Sequence, residues 1–385
     1  MIAEGWTISW LTSHHAIRTK TAEELKERFG DSLEVHPYPF LKIPESGGKP
    51  VAWLRYQTHH WRLLNKALPR LVANAATDCI FLPWLDYCDR ACGMLGLPKV
   101  DVPYAALHMH VAIHEPAAAN ASLMRRASRT ITQKSMARLY NQRNLKRVAV
   151  IMETFATFAK ASRMPGWEKV VYIPDAGSLG ALPSRDSSRA RFSINEKDVV
   201  ILCFGALTRR KGVDILLKSA ITAGDSASIT VILAGRQDAE VRALVDVFQA
   251  TGSSPIQLIV RDAFIDSDEE RRLFACADIV WVGYPGFLGS SGVLIQAGCA
   301  SLPVISGIHG ETGNAVRRDK CGIACELTEP QEVAAGIRSL AANLELRLRL
   351  GKNGHARSQL HSPQIFAANI LRLIEEAAGI PASPS

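Results

Sequence analysis

Two stretches of the chain carry residue types that suit the binding of a phosphorylated ligand. The first is Phe204-Gly-Ala-Leu-Thr-Arg-Arg-Lys-Gly-Val-Asp214. The apolar run Asp198–Phe204 precedes it, and the helical spacing of Val213, Leu216, Leu217 and Ala220 follows. A loop from strand to helix turns backbone N–H groups and the helix dipole toward one spot, which suits phosphate. Arg209, Arg210 and Lys211 add positive charge there, while Gly205 and Gly212 let the backbone approach closely. The second stretch is Gly289-Ser-Ser-Gly-Val-Leu-Ile-Gln-Ala297, again between an apolar strand, Asp278–Val282, and a helix. Ser290 or Ser291 can cap that helix, and the segment through Gly292 offers free N–H groups. Gln296, about one turn further in, is placed to reach a ribose hydroxyl. Taken singly, a basic surface turn and an ordinary helix cap remain open for these stretches.

Three histidines, His108, His110 and His114, follow the apolar run Val100–Leu107. His108 and His110 share one face of an extended strand, so a metal site and a structural role both stay open. Eight cysteines lie at 79, 88, 92, 203, 276, 299, 321 and 325, without zinc spacing or a disulfide framework. They read as buried thiols of a reducing cytoplasm.

The stretch Pro116–Met152 contains no Asp or Glu but carries Arg125, Arg126, Arg129, Lys134, Arg138, Arg143, Lys146 and Arg147. Leu123, Met124, Met136, Leu139 and Tyr140 are interleaved. Helical patterning over 123–147 gives either a basic amphipathic surface for anionic lipid headgroups or a solvated basic face. At an anionic membrane each basic residue would add about 1 kcal/mol. No stacking aromatics or known motif accompany the charge, so nucleic acid is not an expected partner.

These residues need a scaffold, and a chain of 385 residues suggests two domains. With 47% hydrophobic and 21% charged residues the composition is globular, which excludes disorder and collagen-like structure. No apolar run reaches the roughly 18 residues of a membrane span, and the N-terminus does not read as a signal peptide. The net charge of +8 suits an anionic partner.

From residue 198 onward apolar strands and amphipathic helices alternate: strands at Ser228–Ala234, Ile256–Val260 and Pro303–Ser306, helices at Gly212–Ala223, Asp238–Thr251, Glu269–Cys276 and Ser291–Ala300. Strict alternation implies a parallel sheet covered on both faces, with ligands at the carboxyl ends of its strands. The N-terminal half alternates less cleanly. Strands are expected at Thr7–Leu11, Ser32–His36, Cys79–Pro83, Val100–Leu107, Lys146–Ile151 and Val170–Pro174, and helices at Thr21–Phe29 and Val51–Ala76. In the longer helix Trp53, Leu64, Leu68 and Leu71 are core candidates. Asp175–Ser188, rich in Gly, Ser and Pro, reads as a linker. Ser362-Pro363 opens a last helix that runs to about Ala378.

The ordered pair of loops, GALTRRKGVD and then LGSSGVLIQAGCASLPVI, resembles the donor domain of glycosyltransferase family 4. VVYIPDAG is similar to the segment that closes that family's first domain, and ACADIVWVGY to the strand between its two motifs. Asn314 lies near where the family has a Pro-Glu turn. The resemblance covers about residues 170–376, and 5–170 only by the order of elements.

What the resemblance implies is an α/β, GT-B fold of two Rossmann-like doubly wound domains facing across a cleft. The expected acceptor domain is 1–175, the linker 176–190 and the donor domain 191–360, with 361–385 crossing back. The implied activity is a retaining transfer of a hexosyl unit from a UDP- or GDP-sugar to a polysaccharide or glycolipid acceptor. Gly205, Arg210, Lys211, Ser290, Ser291, Gly292 and Gln296 would bind the donor, and His108, Lys211 and Arg209 would act on the reacting groups. GT-B enzymes place the diphosphate with helix ends and basic side chains. No metal and no cofactor beyond the nucleotide sugar co-substrate is therefore expected. The implied location is cytoplasmic, peripheral to the inner membrane where residues 123–147 touch it.

The sequence departs from the family in several places. The family's phosphate arginine falls on Ala206, and its two motif glutamates fall on Leu288 and Gln296. Gln296 keeps an acceptor oxygen but loses the charge. The chain opens on residues matching the family's first helix end and second strand, so the domain is expected to lack its first strand and Gly-rich loop. A genuine truncation and a misplaced start codon both account for that. A catalytically silent, glycosyltransferase-like binding or scaffold protein is the rival reading. Other nucleotide-binding doubly wound folds are disfavoured, because neither G-x-G-x-x-G nor a P-loop motif appears.

Overall fold

A computed structural model of the chain describes residues 5–39, 41–43, 50–111, 113–114, 123–224, 228–250 and 255–381, with backbone only at 50 and 123–128. The chain divides into two compact units, 1–173 with 368–385, and 174–367.

The first unit begins with strand β1 (Ile8–Ser13), helix α1 (Lys20–Phe29) and strand β2 (Leu33–Tyr38). β1 and β2 pair in parallel as a sheet of their own. Thr19 caps α1, its hydroxyl accepting the N–H of Ala22. There follow α2 (Pro50–Asn74), β3 (Ile80–Leu82), α3 (Asp89–Leu95), β4 (Tyr104–His108), α4 (Leu123–Tyr140), β5 (Leu145–Val150), α5 (Glu153–Ser162) and β6 (Val170–Tyr172). Strands β3 to β6 form a parallel sheet in sequence order. Every residue of β4 is buried, so both faces of that strand are covered. In α2, Leu64 and Leu68 join the core, whereas Trp53 and Leu71 remain half-exposed.

The second unit alternates as its apolar pattern demands. Its elements are α6 (Arg185–Arg191), β7 (Val199–Phe204), α7 (Val213–Gly224), β8 (Ile229–Ala234), α8 (Ala239–Ala250), β9 (Ile256–Arg261), α9 (Ser267–Cys276) and β10 (Ile279–Val282). Then come α10 (Gly292–Cys299), β11 (Val304–Gly307), α11 (Gly310–Asp319), β12 (Gly322–Cys325), α12 (Pro330–Ala342), α13 (Leu344–Ser358) and α14 (Pro363–Ala378). Helix α6 begins inside the stretch that reads as a linker and runs past its end. The last helix continues into the first unit from residue 368 onward. Its start is capped as its sequence suggests, with Ser362 Oγ accepting the N–H of Ile365 at 3.1 Å.

The six strands are all parallel, in the order β12-β11-β10-β7-β8-β9. The chain leaves β7 in one direction through β8 and β9, then returns to lay β10 on the other side of β7. That reversal makes a topological switch point between β7 and β10, where a doubly wound sheet opens a crevice at its carboxyl edge.

Candidate functional site

The two candidate loops leave these two neighbouring strands. The segment after β7 runs through Gly205 to Gly212, and the segment after β10 through Gly283 to Ser291. They lie so close that a Cβ on Gly212 would stand 2.6 Å from the carbonyl oxygen of Gly283, and Gly212 also holds a left-handed φ of 60°. Only glycine serves there without strain. The indole Nε1 of Trp281 donates to the carbonyl of Lys211 at 2.7 Å and pins one loop to the sheet beneath. Between the loops lies a cavity of about 390 Å³, lined by Arg210, Lys211, Tyr284, Phe287, Ser290–Val293 and Gln296, with Ala176–Ser178 closing one side.

Lys211 is 5% exposed. Its Nζ donates to the carbonyl of Phe204 at 2.9 Å and to Tyr284 Oη at 3.0 Å, and sits 4.4 Å from the Tyr284 ring centroid. Burial pulls its pKa down to about 8, and the nearby Arg210 charge works in the same direction. An ammonium held this dry has much to gain from an anionic partner. Arg210 lies over the Phe287 ring at 4.9 Å and the Tyr284 ring at 5.8 Å, so its guanidinium is oriented by cation–π contact at the cavity wall.

Ser291 occupies the N-cap of α10, but its hydroxyl does not cap the helix. It points to Tyr284 Oη, 3.4 Å away. Among the described residues the first-turn amides of Gly292 and Val293 have no protein acceptor. The cavity therefore gathers a buried ammonium, a guanidinium and a helix N-terminus, an arrangement that favours a diphosphate. Gln296 lines the same cavity, and its Nε2 donates to Glu270 Oε1 at 2.6 Å. That bond fixes the amide, and burial raises the pKa of the Glu270 carboxyl.

Among the sequence candidates Gly205, Arg210, Lys211, Ser290, Ser291, Gly292 and Gln296 come together in or beside this cavity. Gly205 has a φ of 102° and a would-be Cβ 3.3 Å from Lys211 Nζ, so a side chain there would press on the ammonium. Arg209 does not join them. It is 83% exposed and forms a surface ion pair with Glu240 at 3.5 Å, because the tight turn Arg209–Lys211 directs it away from its two neighbours. Sequence reading did not assign Tyr284, Phe287 or Glu270 to the site, although Tyr284 ends the ACADIVWVGY stretch, nor the wall residues Ala176–Ser178. Gly177 was the available signal: a Cβ there would lie 2.5 Å from Ile295.

The first unit holds the remaining candidate, His108. Its ring is 1% exposed, with Nδ1 2.9 Å from Tyr140 Oη and Nε2 3.5 Å from Asp89 Oδ2 and 3.9 Å from Asp86 Oδ1. The imidazole is a buried partner of two carboxylates and is closed off from solvent, contrary to its expected place facing a reacting sugar. Burial opposes its charge, but the Asp86 charge and the Asp89 contact outweigh burial and raise its pKa. Asp86 also accepts the N–H groups of Met109 at 3.0 Å and His110 at 2.7 Å; burial alone would raise its pKa, but His108, His110 and these bonds hold it low. The solvent-facing histidine of the group is His110.

In the basic stretch the apolar side chains of Met136, Leu139 and Tyr140 on α4 are buried in the core of the first unit, and Arg147 is paired with Glu376 at 2.7 Å. Lys134, Arg138, Arg143 and Lys146 remain exposed. The side chains of Leu123, Met124, Arg125 and Arg126 lie outside the described residues. No helix among the described residues is long and apolar enough to cross a membrane.

Comparison with known proteins adds to this geometry. Residues 198–343 match the family model described as "Glycosyl transferases group 1". Over 165 residues the chain is 27% identical to a D-inositol 3-phosphate glycosyltransferase of Rhodococcus opacus (strain B4), a match covering 41% of this chain and 36% of that relative's length. A sucrose-phosphate synthase structure from Thermosynechococcus elongatus superposes with a TM-score of 0.68 at 16% identity, over 97% of this chain and 89% of that one. The structure of HepE from Anabaena in complex with UDP and glucose gives 0.59 at 16% identity, over 91% and 88%. At these identities the likeness is one of fold, the α/β fold of the GT-B glycosyltransferases.

Proposed function

We propose that the chain is a glycosyltransferase that takes a glycosyl unit from a nucleotide diphosphate sugar and places it on a hydroxyl acceptor. The observation that carries the reading is the meeting of Lys211, Arg210 and the N-terminus of α10 on one cavity at the switch point of a parallel sheet. In the transfer, the bond from the anomeric carbon to the diphosphate breaks and a bond to the acceptor oxygen forms. The acceptor proton is released, and the nucleoside diphosphate departs with added negative charge. Lys211, Arg210 and the amides of Gly292 and Val293 would stabilise that charge as it develops, which is a large term in catalysis. Gln296, held by Glu270, would offer its carbonyl oxygen to the ribose. Support comes also from the match of residues 198–343 to the group 1 family and from the nucleotide in the Anabaena structure.

The donor is read as a UDP- or GDP-hexose, the transfer as retaining, and the acceptor as a carbohydrate or lipid-linked glycan. Membrane contact, if the acceptor is lipid-linked, would be electrostatic through Lys134, Arg138, Arg143 and Lys146. Calorimetric titration with UDP, GDP and ADP tests the donor site, and a folded sample that binds none of them defeats the proposal. Nucleotide binding without hydrolysis or transfer of the sugar would instead identify a silent binding protein. Leu288 and Gln296, which replace the family's carboxylates, favour that second reading.

A further inference from the structure

A second cavity, of about 530 Å³, lies wholly within the first unit and is not used by the nucleotide reading. Aromatic rings dominate one side. Trp84 and Tyr87 lie nearly parallel, with centroids 5.6 Å apart and planes inclined by 18°. Tyr87 is braced edge-on by Trp53 and Tyr56 at 6.2 and 6.0 Å. Trp84 itself is 46% exposed. A rigid indole left open beside a cavity offers a flat apolar face at low entropic cost.

The charges at this cavity are arranged unequally. Asp86 and Asp89 line it but spend their oxygens on the protein: Asp86 on two backbone N–H groups and the buried His108, Asp89 on Gln57, the Arg90 N–H and His108. Arg129, also on the wall, donates to the carbonyl of Ile113 at 2.6 Å. Arg90 differs. Its backbone N–H is gripped by Gln57 Oε1 at 3.1 Å and by Asp89, yet its guanidinium has no partner among the described residues. A residue anchored at its base with an uncommitted planar cation suits a phosphate or carboxylate.

We propose that this cavity binds a sugar ring bearing a phosphate, the ring stacked on the Trp84 indole that Tyr87 backs and the anion on Arg90. Its role as the acceptor site rests on the glycosyltransferase reading; its binding chemistry does not. The shared ligand chemistry is a phosphorylated polyol ring, presented either by a soluble sugar phosphate or by a sugar on a lipid phosphate. His108 is a positioning residue here, since its buried ring stands 3.9 Å from Asp86 and 3.5 Å from Asp89 and engages both carboxylates.

The test titrates the full chain with glucose 6-phosphate, glucose and inorganic phosphate, following tryptophan fluorescence, and sediments it with vesicles carrying prenyl phosphoglucose. Binding of glucose 6-phosphate supports the soluble source, and sedimentation without it supports the lipid source. Trp84→Ala and Arg90→Met should each weaken whichever interaction is found by roughly tenfold or more. UDP affinity should stay unchanged in both variants, and an unaltered thermal transition shows that they fold. Binding to neither probe overturns the proposal, as does binding indifferent to both substitutions. Glucose binding as tightly as its phosphate removes the anion site, and inorganic phosphate binding as tightly removes the stacking. Loss of UDP binding in the wild type, with sugar phosphate binding intact, would sink the nucleotide reading and leave this site standing.

Discussion

Lys211 and Ser291 meet on one atom: the Tyr284 phenolic oxygen lies 3.0 Å from the ammonium and 3.4 Å from the serine hydroxyl. One residue comes from the loop after β7 and the other from the start of α10, so the tyrosine ties the two halves of the candidate diphosphate site together. Tyr284→Phe keeps the ring under Lys211 and Arg210 but removes both bonds. UDP affinity is expected to fall about 5- to 10-fold, because the ammonium and the serine both lose the oxygen that positions them. Lys211→Ala should cost more, roughly 10- to 100-fold, because a charge-assisted contact disappears. Calorimetry reads both, and an unchanged Lys211→Ala affinity removes the residue from the site.

The depressed pKa of Lys211 gives affinity a pH profile. Only the ammonium attracts a diphosphate, so binding should hold steady below about pH 8 and weaken as pH rises above it. Stability moves the other way. The buried ammonium is unfavourable up to about pH 8, and because the unfolded lysine titrates near 10.4, stability from this group rises between those values. Lys211→Met should flatten both trends. Titrations and urea unfolding from pH 7 to 10 check this.

Gln296 sits where the resemblance expects a glutamate, and the amide is bonded to Glu270. Restoring the acid by Gln296→Glu would set two carboxylates 2.6 Å apart. The single substitution is expected to destabilise by about 1–2 kcal/mol near neutral pH, with one carboxyl forced to keep its proton. Adding Glu270→Gln should recover the loss. Urea unfolding of the three variants forms a double-mutant cycle, and additive effects would show that the pair is uncoupled.

His108 contributes to stability in a defined pH window. Its folded pKa is raised, so the contribution is fully present below the unfolded value near 6.5 and is lost as pH climbs through the folded value. Asp86, held low by the same contact, keeps its own contribution until the pH falls well into the acid range. His108→Gln should therefore cost about 3–5 kcal/mol at pH 5.5 and distinctly less at pH 9. An equal cost at both values would mean that the imidazole is neutral throughout.

The second unit was legible because its strands are covered on both faces. Val199–Phe204 is apolar throughout, and Ile229–Ala234 carries Thr230 as its one polar residue. The first unit was harder for the same physical reason applied to one polar residue. His108 ends β4, a strand buried on both sides, so its place after an apolar run signalled burial as much as exposure. Arg209 and Arg210 are adjacent in sequence, and only the turn geometry sends one to Glu240 and the other to the cavity. Tyr284 and Glu270 acquire their roles through contacts 73 and 26 residues away, beyond the reach of any spacing rule.

The side chain at the head of α10 gives its hydroxyl to a tyrosine and leaves the helix to begin bare. Such a helix gains rigidity from whatever anion settles on its first turn, and the gain appears as heat tolerance. A ligand at a hundred times its dissociation constant adds about 2.7 kcal/mol to the folded state. The melting curve of this protein thus becomes a ranking instrument. Panels of nucleotides and sugar nucleotides can be ordered by the temperature each one adds, long before the sugar's destination is known.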